Sequence, residues 1–293
     1  MRVATCISGL TRQFYKDSTL SVFAARKSPE EIEGNEPIAS ALRLEEQSNV
    51  SAVSLLFAPG KRPRALDICA QAKSSGQFSI SLDPSADGGQ EEGWLELLAN
   101  GMTFDLVGLA PQAVIEVPQT IHAFGLREKL DVGTLQPVLI TPGPHLAAGS
   151  AMFPVVRTLA MIAAQLVELD GVDAVAWHPA RAVSDAGYFR RSVLRWIEGG
   201  AFPGLGLSAL VPTDDGGLAS EGLALFTGQE LFLTPDVVSD KAEGAKIALR
   251  LLNWLVENGR VTEVLEFTGP SGEALRIEPT DDPGRVKLRR LTR

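Results

Sequence analysis

The stretch LGLSALVPTDDGGLASEGLALFTGQELFL, residues 205–233, decides the fold class. It holds three short apolar runs, residues 205–211, 223–226 and 230–233, with Asp214-Asp215-Gly216-Gly217 between the first two. Asp and Gly tolerate the backbone angles of a tight turn, so the pattern predicts strands that follow one another without an intervening helix. Strands joined that way pair antiparallel. Downstream, Asp240 is placed to cap a helix over residues 240–257, with Glu243 three residues on and Ile247, Leu251 and Trp254 on one stripe. Three more strands fit residues 261–267, 274–277 and 286–291.

Upstream the chain alternates more regularly. Apolar runs at residues 3–8, 20–25, 50–57, 78–82, 104–109, 113–117, 138–141 and 173–177 read as strands. Ser28-Pro29-Glu30-Glu31 reads as a helix start. Helical spacing recurs at residues 63–74, 119–129 and 185–197, and a short helix fits residues 94–99. Runs of consecutive strands beside long helices predict an α+β (mixed α/β) fold. Its sheets are mixed and largely antiparallel, with helices packed mainly on one face, and tandem ferredoxin-like units are the expected building block. The polar, glycine-rich segment 83–93 and the longer elements after residue 104 place a domain boundary near residue 100, giving domains 1–100 and 101–293.

The chain of 293 residues is 45% hydrophobic and 22% charged, a composition that sustains a large core. Its net charge of −9 sets a repulsive field against nucleic acid and anionic lipid. Two cysteines, Cys6 and Cys69, fit a reducing compartment and read as small buried thiols, so a soluble cytoplasmic protein is expected. Residues 146–169 are long and apolar, but Arg157 near the centre would cost about 3 kcal/mol in a bilayer. A buried core helix starting near Pro154 is the better account.

Three segments between residues 142 and 272 stand out. They are Ala174-Val175-Ala176-Trp177-His178-Pro179, the helix from Phe189 to Trp196 leading into Gly199-Gly200, and Glu221-Gly222-Leu223-Ala224-Leu225-Phe226-Thr227-Gly228-Gln229-Glu230. Over that range the chain resembles a bacterial family of domains of unknown function. The resemblance implies a domain of that kind and no particular activity.

No complete chemical motif is present. There is no P-loop, no Gly-x-Ser-x-Gly elbow, and only three histidines, His122, His145 and His178, none near another or near a cysteine. Neither a cofactor nor a metal is expected. His122 reads as an ordinary helix residue, and Ser150 as a cap for the long helix. Glu221 and Glu230 flank the run 223–226, so a turn there would bring two carboxylates together, and paired carboxylates do acid–base work when one pKa is raised. Solvated side chains at strand ends are the plainer account of both. Trp177-His178-Pro179 at a strand end can rim a pocket. The candidate ligand-binding residues are therefore Glu221, Glu230, Trp177, His178 and His145. The basic tail from Arg285 reads as a closing strand with one cationic face, guarding an edge or meeting an acidic partner. Two functions follow from different classes. One is a non-catalytic binding or protein-interaction module whose partner is a protein or small molecule, without nucleic acid or membrane. The other is a hydrolase-like small-molecule enzyme with Glu221, Glu230, His145 and His178 lining its pocket.

Overall fold

The computed structural model describes residues 51–86, 92–127 and 130–291. The expected strands at 3–8 and 20–25, the helix start at Ser28 and the thiol of Cys6 lie outside these residues. The described chain belongs to one compact unit, built on two sheets. The first has eight strands in the order β2-β3-β4-β6-β1-β7-β8-β5. These are β1 (Val53–Phe57), β2 (Ser79–Leu82), β3 (Trp94–Ala99), β4 (Met102–Val107), β5 (His122–Phe124), β6 (Gln136–Pro142), β7 (Val172–Trp177) and β8 (Ala182–Asp185). Neighbours are antiparallel except β5 and β8, which run parallel. The second sheet has six strands in the order β12-β13-β14-β11-β10-β9. They are β9 (Ala209–Pro212), β10 (Leu218–Glu221), β11 (Glu230–Leu233), β12 (Leu265–Thr268), β13 (Ala274–Pro279) and β14 (Arg285–Arg290), with β11 and β14 the one parallel pair among them. The fold is thus α+β with mixed, largely antiparallel sheets.

Side-chain alternation gives the first sheet two unlike faces. Val53, Leu55 and Phe57 of β1, Val138 and Ile140 of β6, and Val175 and Trp177 of β7 point into the main core. Helices α1 (Ala65–Ser75), α2 (Phe153–Leu166) and α3 (Ala186–Ile197) cover that face. α2 is the apolar segment read as a core helix. Pro154 sits in its first turn, where a missing N–H costs nothing, and ten of its residues are buried. Its N-cap is Met152, not Ser150; the Ser150 carbonyl instead accepts the Ser51 hydroxyl. α3 is capped by Asp185, whose Oδ1 accepts the Tyr188 amide. Among the described residues no helix is long and apolar enough to cross a membrane.

The opposite face of the first sheet carries a smaller cluster, Leu56, Leu135, Ala174, Ala176 and Val183, covered by Val117, Leu126, Leu130 and Val132. Val117 and Leu126 come from the segment expected to hold a strand at 113–117 and a helix at 119–129. Among its described residues that segment holds β5 and otherwise irregular chain. Two other expectations change. Residues 94–99 form β3, because burial alternates along Trp94–Ala99 in step with β4. Residues 223–226 form a helical turn, α4 (Ala224–Thr227), followed by Gly228 at φ 76°. A break at residue 100 falls in the turn of the β3–β4 hairpin, within one sheet. The strand orders do not give tandem ferredoxin-like units either, since the sheets have eight and six strands and their connections do not repeat a four-strand pattern.

The second sheet buries Leu231, Leu233, Leu275, Ile277, Val286 and Leu288 in the main core. There they share one cluster with Ile247, Leu251, Leu252 and Leu255 of α5 (Lys241–Asn258). Asp240 caps α5 through the amides of Ala242 and Glu243, as its spacing predicts. α4 carries Phe226 into the place where the two sheets share a core. Its ring stacks on Trp177 at 6.2 Å and meets Phe202 at 4.9 Å and Trp196 at 6.0 Å, the last two edge to face. Truncating such a ring removes its transfer energy and leaves a cavity. Phe226→Ala is expected to lose about 3–5 kcal/mol in denaturant unfolding. Phe153→Ala, at a ring 37% exposed, is expected to lose clearly less.

Candidate functional site

The two distinctive segments meet. After Trp177 the chain makes a tight turn over His178–Ala180 and places Arg181 at φ 46° before β8. Gly222 lies against this turn. A Cβ on Gly222 would stand 2.8 Å from the Ala180 Cβ, and its φ is 86°, so both space and backbone require glycine there. The Arg181 guanidinium hydrogen-bonds Glu221. The His122 Nε2 lies 2.9 Å from the other oxygen of the same carboxylate. His122 belongs to β5, not a helix, and its alignment with Glu221 depends on the parallel pairing of β5 with β8. No local pattern in the sequence signals that pairing. Partial burial pushes the Glu221 carboxyl up, but the hydrogen bonds from Arg181 and His122 outweigh it and hold the group below its ordinary value.

Glu230 is neither a solvated strand-end residue nor a partner of Glu221. It lies under α4, where it accepts the Ser220 hydroxyl and the amides of Gly222 at 2.9 Å, Ala224 at 3.0 Å and Leu223 at 3.3 Å. The Ser220 oxygen in turn accepts the Leu231 amide at 2.8 Å. Burial raises the Glu230 carboxyl above its ordinary value, and these donors recover part of that cost. One carboxylate thereby satisfies the free amides at the start of α4 and ties β10 to β11.

Trp177 is 1% exposed, and its Nε1 makes no hydrogen bond. It is a core residue and does not rim a cavity. The His178 ring turns to the sheet face away from the helices, where its Nε2 is 2.9 Å from the Ser54 hydroxyl. Burial pushes the imidazole down to about 4, so it is neutral at pH 7. Ser54 is itself 1% exposed, so its hydroxyl is closed to a substrate. His145 is exposed on the turn Pro144–Gly149, where it draws down the Asp105 carboxyl. Glu221, Glu230 and His178 are thus held by separate partners, and His145 lies on an exposed turn. Among the described residues no group of three or more His, Cys, Asp or Glu is placed to hold a metal ion. Cys69 is a free, half-buried thiol.

Two polar features lie elsewhere. A cleft of about 600 Å³ opens on the outer face of the second sheet. Phe232, Leu233, Thr234, Arg285 and Lys287 line it from β11 and β14, between the turns carrying Asp214-Asp215 and Asp281-Asp282. The Arg285 guanidinium sits 4.8 Å over the Phe232 ring, and its Nε is 3.0 Å from Asp282. Residues Arg285–Arg290 of the basic tail thus form a sheet-centre strand, not a free edge. The second feature is Asp105 on β4. It stands directly opposite Glu96 of β3, and its Oδ1 is closed off and unbonded. Burial, and then the Glu96 charge, push its carboxyl up to about 6. Sequence reading passes over both features, because each depends on which strands become neighbours.

No family model, curated protein or solved structure matches this chain.

Two outcomes follow for the buried acids. Glu230→Ala leaves the Ser220 hydroxyl and three amides without their acceptor, and is expected to cost about 2–4 kcal/mol in chemical unfolding, with Glu230→Gln intermediate. Asp105 behaves oppositely. Its folded pKa lies above its ordinary value of 3.8, so the folded state holds the proton more tightly, and stability falls as pH rises from about 4 to about 6. Partial exposure screens the effect to about 1 kcal/mol above that window. Asp105→Asn is expected to raise the melting temperature by about 2–4 °C at pH 7.5 and by almost nothing at pH 4, as measured by calorimetry across that range.

Proposed function

We propose that this protein is a non-catalytic binding or protein-interaction module, and that the cleft over Phe232 is its small-molecule or peptide site. The observation that carries the reading is the occupation of the candidate groups by the chain itself. Glu230 has four donors, Glu221 has Arg181 and His122, and His178 has Ser54. A general acid or nucleophile must reach the atom it acts on. Groups engaged in bracing strands serve the fold.

The cleft has the features of a recognition site. Its volume lies in the usual range for ligand pockets, and its floor combines an aromatic ring with fixed charges of both signs. Its two rims carry four aspartates against the two cations of the floor, which favours a ligand with cationic character over nucleic acid.

A thermal-shift screen against metabolites and short peptides tests it. A ligand present at one hundred times its Kd stabilises by about 2.7 kcal/mol, which is about 5 °C or more for a chain of this size. One compound class is expected to give such a rise in the native protein and none in Phe232→Ala, whose own melting temperature serves as the control. Turnover of a chromogenic ester that disappears in Glu221→Gln would overturn the non-catalytic reading.

A further inference from the structure

Among the described residues, no apolar cluster lies over half of one face of the first sheet. The loop cluster on the side away from the helices closes over β1, β7, β8 and the start of β6, and none of its members comes from β2, β3 or β4. On those three strands the residues of that face follow from the register. Leu98 lies opposite Thr103, Glu96 opposite Asp105, and Trp94 opposite Val107. Thr141 and Leu139 of β6 continue the rows beside Asp105 and Val107, and Leu82 of β2 stands beside Glu96. The alternate residues Leu95, Leu97, Phe104 and Leu106 are buried on the helix side.

The resulting surface is apolar at its rim and acidic at its centre. Leu82 is 51% exposed and Leu98 38% exposed, while Trp94, Val107 and Leu139 are half-buried. Single exposed leucines are ordinary, but two of them and a half-buried tryptophan on one sheet face, around an acid pair, form a patch suited to an interface. Glu96 and Asp105 face each other across an antiparallel pair, where like charges destabilise a sheet. The Ser81 hydroxyl, 2.6 Å from a Glu96 oxygen, supplies the one side-chain hydrogen bond that this pair receives among the described residues. No lysine or arginine among the described residues bonds either carboxylate, and the nearby base is the exposed His145. An acid pair in an apolar setting without a cation is costly to keep, and a cation from outside relieves it.

We infer that this face docks a partner polypeptide that sets an arginine side chain between Glu96 and Asp105 and apolar side chains against Trp94, Leu82 and Leu98. Arginine fits better than lysine, because its planar fork addresses two carboxylates at once and tolerates an apolar flank. A second copy of this chain fits badly. A two-fold dimer through this face would bring the Glu96–Asp105 pair of one copy against the same pair of the other, and both copies carry net negative charge. The partner is therefore a different, basic and apolar segment. The surface lies on another sheet from the cleft over Phe232, and it stands or falls independently of it.

The probe for this surface is the peptide acetyl-Leu-Arg-Leu-amide, titrated into ¹⁵N-labelled protein, with acetyl-Leu-citrulline-Leu-amide as its uncharged isostere. The arginine peptide is expected to shift the Trp94 indole N–H and the amides of residues 96, 98 and 105, with at least tenfold weaker binding for the citrulline peptide. Asp105→Asn combined with Glu96→Gln is expected to weaken the arginine peptide at least tenfold while the protein's melting temperature holds or rises. That separation is one a merely structural role would not produce. Leu98→Ser, which leaves both acids in place, is expected to weaken both peptides alike. Equal binding of the two peptides, shifts confined to residues lining the Phe232 cleft, or no shift at about 10 millimolar peptide each overturns the inference. So does concentration-dependent dimerisation in sedimentation that is blocked by Leu98→Ser.

Discussion

The packing of Phe226 against Trp177 is the contact on which the rest of the described structure depends. Trp177 ends a central strand of the first sheet, and Phe226 projects from the helical turn that leads into the second. Phe202 and Trp196 close around the same ring, and Phe153 continues the series at the start of α2. Aromatic rings bury large areas with few torsions to fix, so a few of them can join two sheets that share no backbone hydrogen bonds. The requirement passes outward from there. Phe226 reaches Trp177 only if the chain turns sharply before α4. That turn needs Gly222 against Ala180, and its free amides need the Glu230 carboxylate.

The acidic residues show how the same group serves opposite ends according to its neighbours. Glu230 is deeply placed and fully supplied with donors, so its charge holds strands together. Glu221 lies nearer the surface and links β5, the loop before β8 and β10 through His122 and Arg181. Asp105 is placed against Glu96 with an unbonded oxygen, and it weakens the sheet it belongs to. Burial without donors is expensive. The charged faces of the two sheets differ for the same reason. On the second sheet Arg276 meets Glu266 and Arg289 meets Glu278.

Sequence reading succeeds where the signal is local and fails where it is shared between distant strands. The cap of α5 at Asp240, the helical stripe of α3 and the apolar α2 with Pro154 in its first turn are properties of a few adjacent residues. Trp94–Ala99 is the instructive failure. Its Leu, Glu and Ala are good helix formers, and only the β3–β4 pairing turns Glu96 to one face and Leu95 and Leu97 to the other. Residues 223–226 fail in the reverse sense. Leu-Ala-Leu-Phe reads as an apolar strand, but Gly222 and Gly228 at positive φ fold it into a single helical turn. The candidate site is legible in part. Its two segments stand out as sequence and do meet, through Trp177 with Phe226 and Arg181 with Glu221. His122, which completes the Glu221 contact, comes from a three-residue strand with no local signature.

The sequence by itself determined the class of fold. Turn residues without intervening helices force antiparallel pairing, and helical stripes assign helices to a sheet face. Both follow from backbone geometry and the period of apolar residues, which neighbours in the chain carry. Tertiary structure alone decided what each polar group does. A carboxylate becomes a brace, a clamp or an unsettled charge according to the donors within about 3 Å of it. Those donors arrive from strands that are neighbours in the sheet and far apart in the chain, and no local pattern records them.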